Sequence, residues 1–251
     1  MGNQKLLEEQ VIAICLLAGK LMLESGGETY RVEDTMSRIA SAYGINNSQS
    51  YVTPTGIMFS IDETKPAHIV RIVNRTVDLY KVTLVNSISR KISDQLLTYE
   101  EAYNRLKKIS TEDFTFPIMQ QIAAAGIASA CFMLMFLGSW YDFFPAMISG
   151  AVGFYSFVYI HQLVKIKFFA EFFASIIISI IAVVLVKLGI GMQVDKIIIG
   201  SVMPLVPGLL LTNAIRDLMA GHLVASLSKG ADAFLTAFSI GAGVAVVLAF
   251  L

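Results

Sequence analysis

Cysteine, tryptophan, histidine and proline are scarce in these 251 residues, at two, one, three and six. Cys15 falls in a helical pattern and Cys131 inside an apolar run, so a disulfide between them is not expected and no C-x-x-C spacing exists. His68, His161 and His222 are scattered, and neither HExxH nor GxSxG occurs, so no metal, cofactor or catalytic centre is expected and the chain does not read as an enzyme. The formal net charge is zero. That balance argues against nucleic acid as a partner, because phosphate binding calls for a clustered excess of Lys and Arg. No secretory signal is expected either, because the apolar run from Val11 to Leu23 is interrupted by Lys20 and preceded by Glu8 and Glu9 rather than by basic residues.

The most informative lack is of charge along part of the chain. From Phe114 to Tyr141 there is no charged side chain, and only 11 of the 38 charged residues follow Phe114. A helix of about 20 apolar residues crosses the hydrocarbon core of a bilayer. Charge-poor runs at 114–137, 143–164, 168–187, 197–215 and 232–251 therefore predict about five spans, with lipid as the first partner. As a charge-free run, Phe172 to Val186, the third is the shortest, and it carries Glu171 at its entrance, where a carboxylate can still reach the interface. The predicted fold class is a polytopic α-helical membrane protein: a transmembrane domain over 114–251, and a small α+β cytoplasmic domain over 1–113.

Within 1–113, Ile12, Leu16 and Leu23 mark one helix, stopped by Gly26 and Gly27. A second carries Val32, Met36, Ile39, Ala40 and Tyr43, and stops at Gly44. Ser50 to Ile61 and His68 to Val73 read as strands. Helices from Thr83 to Leu97 and from Tyr99 to Ile109 follow, the second opened by a Thr98 and Glu101 capping box. Arg105, Lys107, Lys108, Lys165, Lys167, Arg216 and Lys229 flank the spans on one side, against Lys187 and Lys196 on the other. This bias predicts a cytoplasmic N-terminal domain and an outward-facing Leu251.

Chemistry is expected where polar or helix-breaking residues interrupt lipid-compatible sequence. The densest such place is GSVMPLVPGLLLTNAIRD, Gly200 to Asp217. Pro204, Pro207 and Gly208 predict a broken helix near mid-membrane, whose exposed N–H groups can hold a carboxylate. A packing kink is the plainer alternative. Thr212, Asn213, Arg216 and Asp217 follow as substrate-binding or gating candidates. Arg216 could meet a carboxylate substrate with its planar fork, or serve in a structural pairing or snorkel. Glu171, His222 and Asp232 are the ionisable candidates for proton coupling, with a solvated loop position as the alternative for the last two. SGGETYR, with Gly26, Gly27, Thr29 and Arg31, is either an anion-binding helix start or a tight turn, and Glu28 would repel an anion there. VTPTG around Pro54 reads as a strand bend or bulge. Ala237, Gly241 and Ala245 form a small-residue face suited to close packing, within the subunit, on a partner or on a second copy in a homo-oligomer.

At AGKLMLESGGETYRVEDTMSRIASAYGI, YVTPTGIMFSI and MPLVPGLLLTNAIRDLMAGHLVASLSKGADAFL, the chain resembles the threonine/serine exporter family of bacterial inner-membrane proteins, often called ThrE-like. The matching positions are Gly26, Gly27, Thr29, Arg31, Pro54, Pro204, Pro207, Gly208, Asn213, Arg216, Asp217 and Gly221. The resemblance implies secondary transport of small amino acids, chiefly threonine and serine, out of the cytoplasm, driven by the proton gradient. It is to the longer half of full-length members, and to the larger subunit of split members. Those are thought to work with a separate small membrane protein of about four spans, and in some cases to export dicarboxylates such as succinate. A non-transporting accessory or sensor subunit is the rival class.

Overall fold

The computed structural model describes residues 2–250, so Met1 and Leu251, with the outward placement expected of Leu251, lie outside the described residues. In chain order the elements are α1 (Gly2–Glu24), α2 (Thr29–Ala42), β1 (Gln49–Thr53), β2 (Gly56–Ser60), β3 (His68–Arg71), α3 (Leu79–Ser93) and α4 (Tyr99–Thr111). Then follow α5 (Ile118–Met135), α6 (Phe143–Val164), α7 (Lys167–Lys187), α8 (Val194–Val202), α9 (Gly208–Met219) and α10 (Leu223–Ala249). Short 3-10 turns occupy Trp140–Asp142 and Met203–Leu205. Two compact units result. One contains the residues up to Thr115 with Leu209–Gly230; the other contains Phe116–Gly208 with the residues from Ala231 onward.

The first unit is built on one apolar core. Val11, Ile14, Cys15, Ala18 and Met22 of α1 are buried with Val32, Met36 and Ile39 of α2, Val52, Ile57 and Phe59 of the sheet, Val85 of α3 and Leu106 of α4. The spacing on α1 is the three- and four-residue repeat of a helix with one apolar face. Gly26 and Gly44, both at φ +84°, end the two N-terminal helices in the left-handed region glycine tolerates. Thr98 and Glu101 form the expected capping box.

The expected strand over Ser50 to Ile61 is a hairpin instead. Thr53 pairs with Gly56, leaving Pro54 and Thr55 as the turn between β1 and β2. Proline has no N–H for a ladder, and its fixed φ suits the first central position of a turn. β3 then pairs antiparallel with β2, with Ile57 opposite Val70. α3 starts at Leu79, four residues before the expected Thr83, because Asp78 caps it by accepting from the Lys81 N–H at 3.0 Å.

The second unit packs helices through small residues. A Cβ on Gly200 of α8 would lie 2.7 Å from the Ser129 carbonyl oxygen of α5, and one on Gly150 of α6 would run into Ser129 itself. These positions bring backbones close, as expected where lipid removes the hydrophobic drive between helices. Ala237, Gly241 and Ala245 do not take part: all three are exposed, and a Cβ on Gly241 would meet nothing within 4 Å. The close approach of α10 is two residues on, at Gly243, where a Cβ would stand 2.5 Å from the Phe172 carbonyl oxygen of α7. A two-residue step turns about 200° round a helix, hence the opposite face.

Among the described residues, four helical segments are long and apolar enough to cross a membrane: Ile118–Met135, Trp140–Val164, Lys167–Lys187 and Leu223–Ala249. The number becomes five if the two helices on either side of Val206 and Pro207 count as one broken span. The break falls where the prolines predict it. α8 gives way to a 3-10 turn containing Pro204, and a new helix starts at Gly208 after Pro207.

Candidate functional site

The site lies in the first unit, at the start of α2. The chain leaves α1 through Ser25, Gly26 and Gly27, with Gly27 N–H donating to Met22 O at 2.9 Å, and Glu28 is extended before α2 begins at Thr29. The first amides of a helix lack intrahelical acceptors and carry its positive end. Here the acceptor is Asp217 of α9. Its Oδ1 accepts from Thr29 N–H at 3.0 Å and its Oδ2 from Thr29 Oγ1 at 2.9 Å.

A cation completes the arrangement. Lys229 Nζ of α10 donates to Asp217 Oδ2 at 2.6 Å and to Thr29 Oγ1 at 3.1 Å. Asp217 and Thr29 are fully buried and Lys229 is 6% exposed. Removing two charges from water is costly, and the pair persists because three donors converge on one carboxylate at a helix end.

A second layer of charge surrounds the first. Arg216 lies 2.5 Å from Glu28 Oε1, and Arg31 Nε lies 3.0 Å from Glu28 Oε2. Asn213 Nδ2 donates to Gly26 O at 3.0 Å, fastening α9 to the glycine turn. Asn213, Arg216 and Asp217 fall at i, i+3 and i+4, one face of α9. Glu33 Oε1 accepts from Val52 N–H at 2.8 Å, and its Oε2 lies 3.8 Å from His222 Nε2. Burial pushes the Glu33 carboxyl up from its ordinary value; the Val52 amide and His222 oppose that, and Asp217 adds to it. The cluster holds Glu28, Glu33 and Asp217 against Arg31, Arg216 and Lys229, three charges of each sign.

A family model described as "Putative threonine/serine exporter" matches residues 13–251. The chain belongs to the threonine/serine exporter family. With its apolar helices it is a multi-pass membrane protein. Among relatives of this exporter-family chain is the "Probable succinate transporter subunit YjjP" of Escherichia coli, 25% identical over 96% of this chain and 94% of that protein. The protein of the same name in Klebsiella aerogenes is 24% identical over 99% of this chain and 96% of the relative. The "Probable threonine/serine exporter" of Mycobacterium tuberculosis is 24% identical over 94% of this chain but 45% of its own length. No solved structure matches this chain significantly.

Two polar motifs far apart in this family member thus meet. Gly26, Thr29 and Arg31 from SGGETYR join Asn213, Arg216, Asp217 and, through Glu33, His222. Gly27 and Gly221, the latter at φ +86°, shape the turns that deliver these side chains, and Thr212 lies on α9 beside them. Pro54 stays apart in its hairpin turn, and Pro204, Pro207 and Gly208 belong to the other unit. Glu171 and Asp232 are also there. Glu171 is 1% exposed, with Lys167 Nζ 3.5 Å away. Asp232 is not in a loop but within α10, half-buried.

Sequence reasoning missed Lys229, which it put in a connection; the residue is inside α10, and the connection is only Ala220 to His222. Its signal was available, since a lysine within a 27-residue apolar helix is costly unless paired or functional. Glu28 was expected to repel an anion. Arg31 and Arg216 neutralise it, and the anion at the start of α2 is Asp217 of the same chain.

Proposed function

We propose that this chain is the larger subunit of a proton-coupled secondary transporter that exports small carboxylate-bearing metabolites, chiefly threonine and serine. It sits in the bacterial inner membrane with residues 1–113 in the cytoplasm and 114–251 as its membrane domain, and works with a small membrane partner of about four spans. The observation that carries this reading is the buried Thr29, Asp217 and Lys229 cluster. Ionisable side chains kept inside apolar segments mark substrate or ion paths. A zwitterionic amino acid matches it: its carboxylate replaces Asp217 on Lys229 and on the Thr29 amide and hydroxyl, while its ammonium takes the Asp217 carboxylate. The exchange conserves charge, so no group is left buried and unpaired.

Pro204 and Pro207 serve as the gating break, and the amides at the start of α9 give a second place for a carboxylate. The cytoplasmic orientation draws on Arg105, Lys107, Lys108, Lys165, Lys167 and Arg216 against Lys187 and Lys196, with buried Lys229 set aside. Succinate export is the second reading, favoured by the two guanidiniums of Arg31 and Arg216 that converge on Glu28 and match a dianion.

The test is efflux of labelled serine, threonine and succinate from vesicles containing this protein alone and then with its small partner. Partner-dependent efflux, lost in Lys229→Gln while the variant still inserts, supports the reading. Absence of efflux for all three from correctly inserted complexes sinks it in favour of an accessory or sensing role. Wild-type flux in Lys229→Gln sinks the site.

A further inference from the structure

A second buried ionisable cluster lies in the other unit, where α7 meets α10. Glu171 is 1% exposed, and its Oε2 has no hydrogen-bond partner among the described residues. Lys167, one turn earlier on α7, lies 3.5 Å from Oε1, but its side chain is 46% exposed and its ammonium also donates to Thr236 Oγ1 of α10 at 3.2 Å. Thr236 is itself fully buried. Asp232, one turn before Thr236 on α10, is a second carboxylate on that helix.

Of the other helices packed on α7, α6 carries the exposed Tyr155 and Tyr159 and, near its C-terminal end, His161. α8 carries Asp195 and Lys196 at its start, beyond the Lys187 end of α7, which is about 24 Å along the helix from Glu171. One and two turns deeper than Glu171, Ser175 and Ser179 occupy the same face, both buried. Their hydroxyls donate to Phe172 O and Ser175 O, each at 2.8 Å, so they can only accept from any further partner.

An ion pair kept for stability alone satisfies both carboxylate oxygens, because a bare charged oxygen in an apolar interior is expensive. Glu171 has one oxygen held and one bare, a half-solvated counter-ion, and a face of acceptor-only hydroxyls beside it. We propose that Glu171 is the proton-carrying carboxyl of this protein: Oε2 takes a proton from water reached at the Lys167 end of α7 and later returns it to water, with Lys167 an ammonium throughout. Thr236 holds Lys167 in place between the two states. The inference rests on the proton-coupled reading above and locates the proton away from the Thr29, Asp217 and Lys229 cluster.

Dicyclohexylcarbodiimide adds to protonated carboxyls in apolar surroundings, giving a stable acylurea that peptide mapping by mass spectrometry detects without any transport assay. In vesicles of the full-length protein with its partner, Glu171 is expected to be modified in acidic buffer. Its labelled fraction should fall as pH rises, approaching the limit of about tenfold per pH unit for one titrating carboxyl. Lack of modification at Glu171 at any pH overturns the proposal. In efflux assays, Glu171→Gln should lower gradient-driven efflux more than tenfold, and Glu171→Asp should restore it with a displaced pH midpoint. Efflux with the wild-type pH profile in Glu171→Gln overturns the proposal and leaves the transport reading standing. Wild-type vesicles that move none of the three substrates overturn the transport reading, while the labelling result still decides whether Glu171 binds a proton.

Discussion

Replacing Asp217 by Ala tests the central cluster most directly. The carboxylate accepts three hydrogen bonds, from the Thr29 amide, the Thr29 hydroxyl and Lys229 Nζ. Its loss leaves a lysine whose side chain is 7% exposed with one neutral acceptor, Thr29 Oγ1, and leaves the Thr29 amide unpaired. Breaking a buried pair from one side costs about 3–5 kcal/mol. Lys229→Met is the milder change, because Asp217 keeps both Thr29 donors at the start of α2, and about 1–3 kcal/mol is expected. Combining Asp217→Ala with Lys229→Met removes both charges and strands neither, so the double variant should be more stable than the sum of the single costs implies, with a coupling energy of about 2 kcal/mol or more. Unfolding of the full-length protein in detergent, run as a double-mutant cycle, measures all of these quantities. Additive costs, or single variants within about 0.5 kcal/mol of wild type, would refute the account of the pair.

Three further outcomes follow from the packing and the titrating groups. Gly243→Val should lower the thermal midpoint, by the equivalent of about 1–3 kcal/mol, because its Cβ would stand 2.5 Å from the Phe172 carbonyl oxygen; Gly241→Val, with nothing within 4 Å, should leave the midpoint nearly unchanged. Burial holds the Glu33 carboxyl above its ordinary value of 4.5, so its contribution to stability is complete below that pH and is lost as pH rises through the folded-state value. Glu33→Gln should therefore gain on wild type across that window and keep a constant advantage above it; a difference that shrinks as pH rises would contradict the sign. Burial also pushes the Cys15 thiol up, so maleimide should leave it unmodified in the folded protein and react on unfolding, as mass mapping would report.

The capping box at Thr98 and Glu101, the glycine stops at Gly26 and Gly44 and the helix break at Pro207 were all legible in the sequence, because each depends on a residue and its near neighbours. Half of the candidate site was legible too. Asn213, Arg216 and Asp217 share one face of α9 by spacing alone, and SGGETYR stood out as a polar turn before a helix. Their junction was not legible: Thr29 and Asp217 are 188 residues apart, and nothing in either motif states which helix end a carboxylate will cap.

The sequence by itself determined the separation of charge-rich from charge-poor chain, and with it the membrane class, since hydrocarbon tolerates few charges whatever the packing. It could not determine which charges are buried in pairs, because that depends on contacts between distant segments. Only the tertiary structure turned Lys229 from a residue of a connection into the partner of Asp217, enclosed Glu171, and moved the close approach of α10 from Gly241 to Gly243. In each case the deciding quantity is the distance to an atom of another helix, a property of the fold that no local pattern carries.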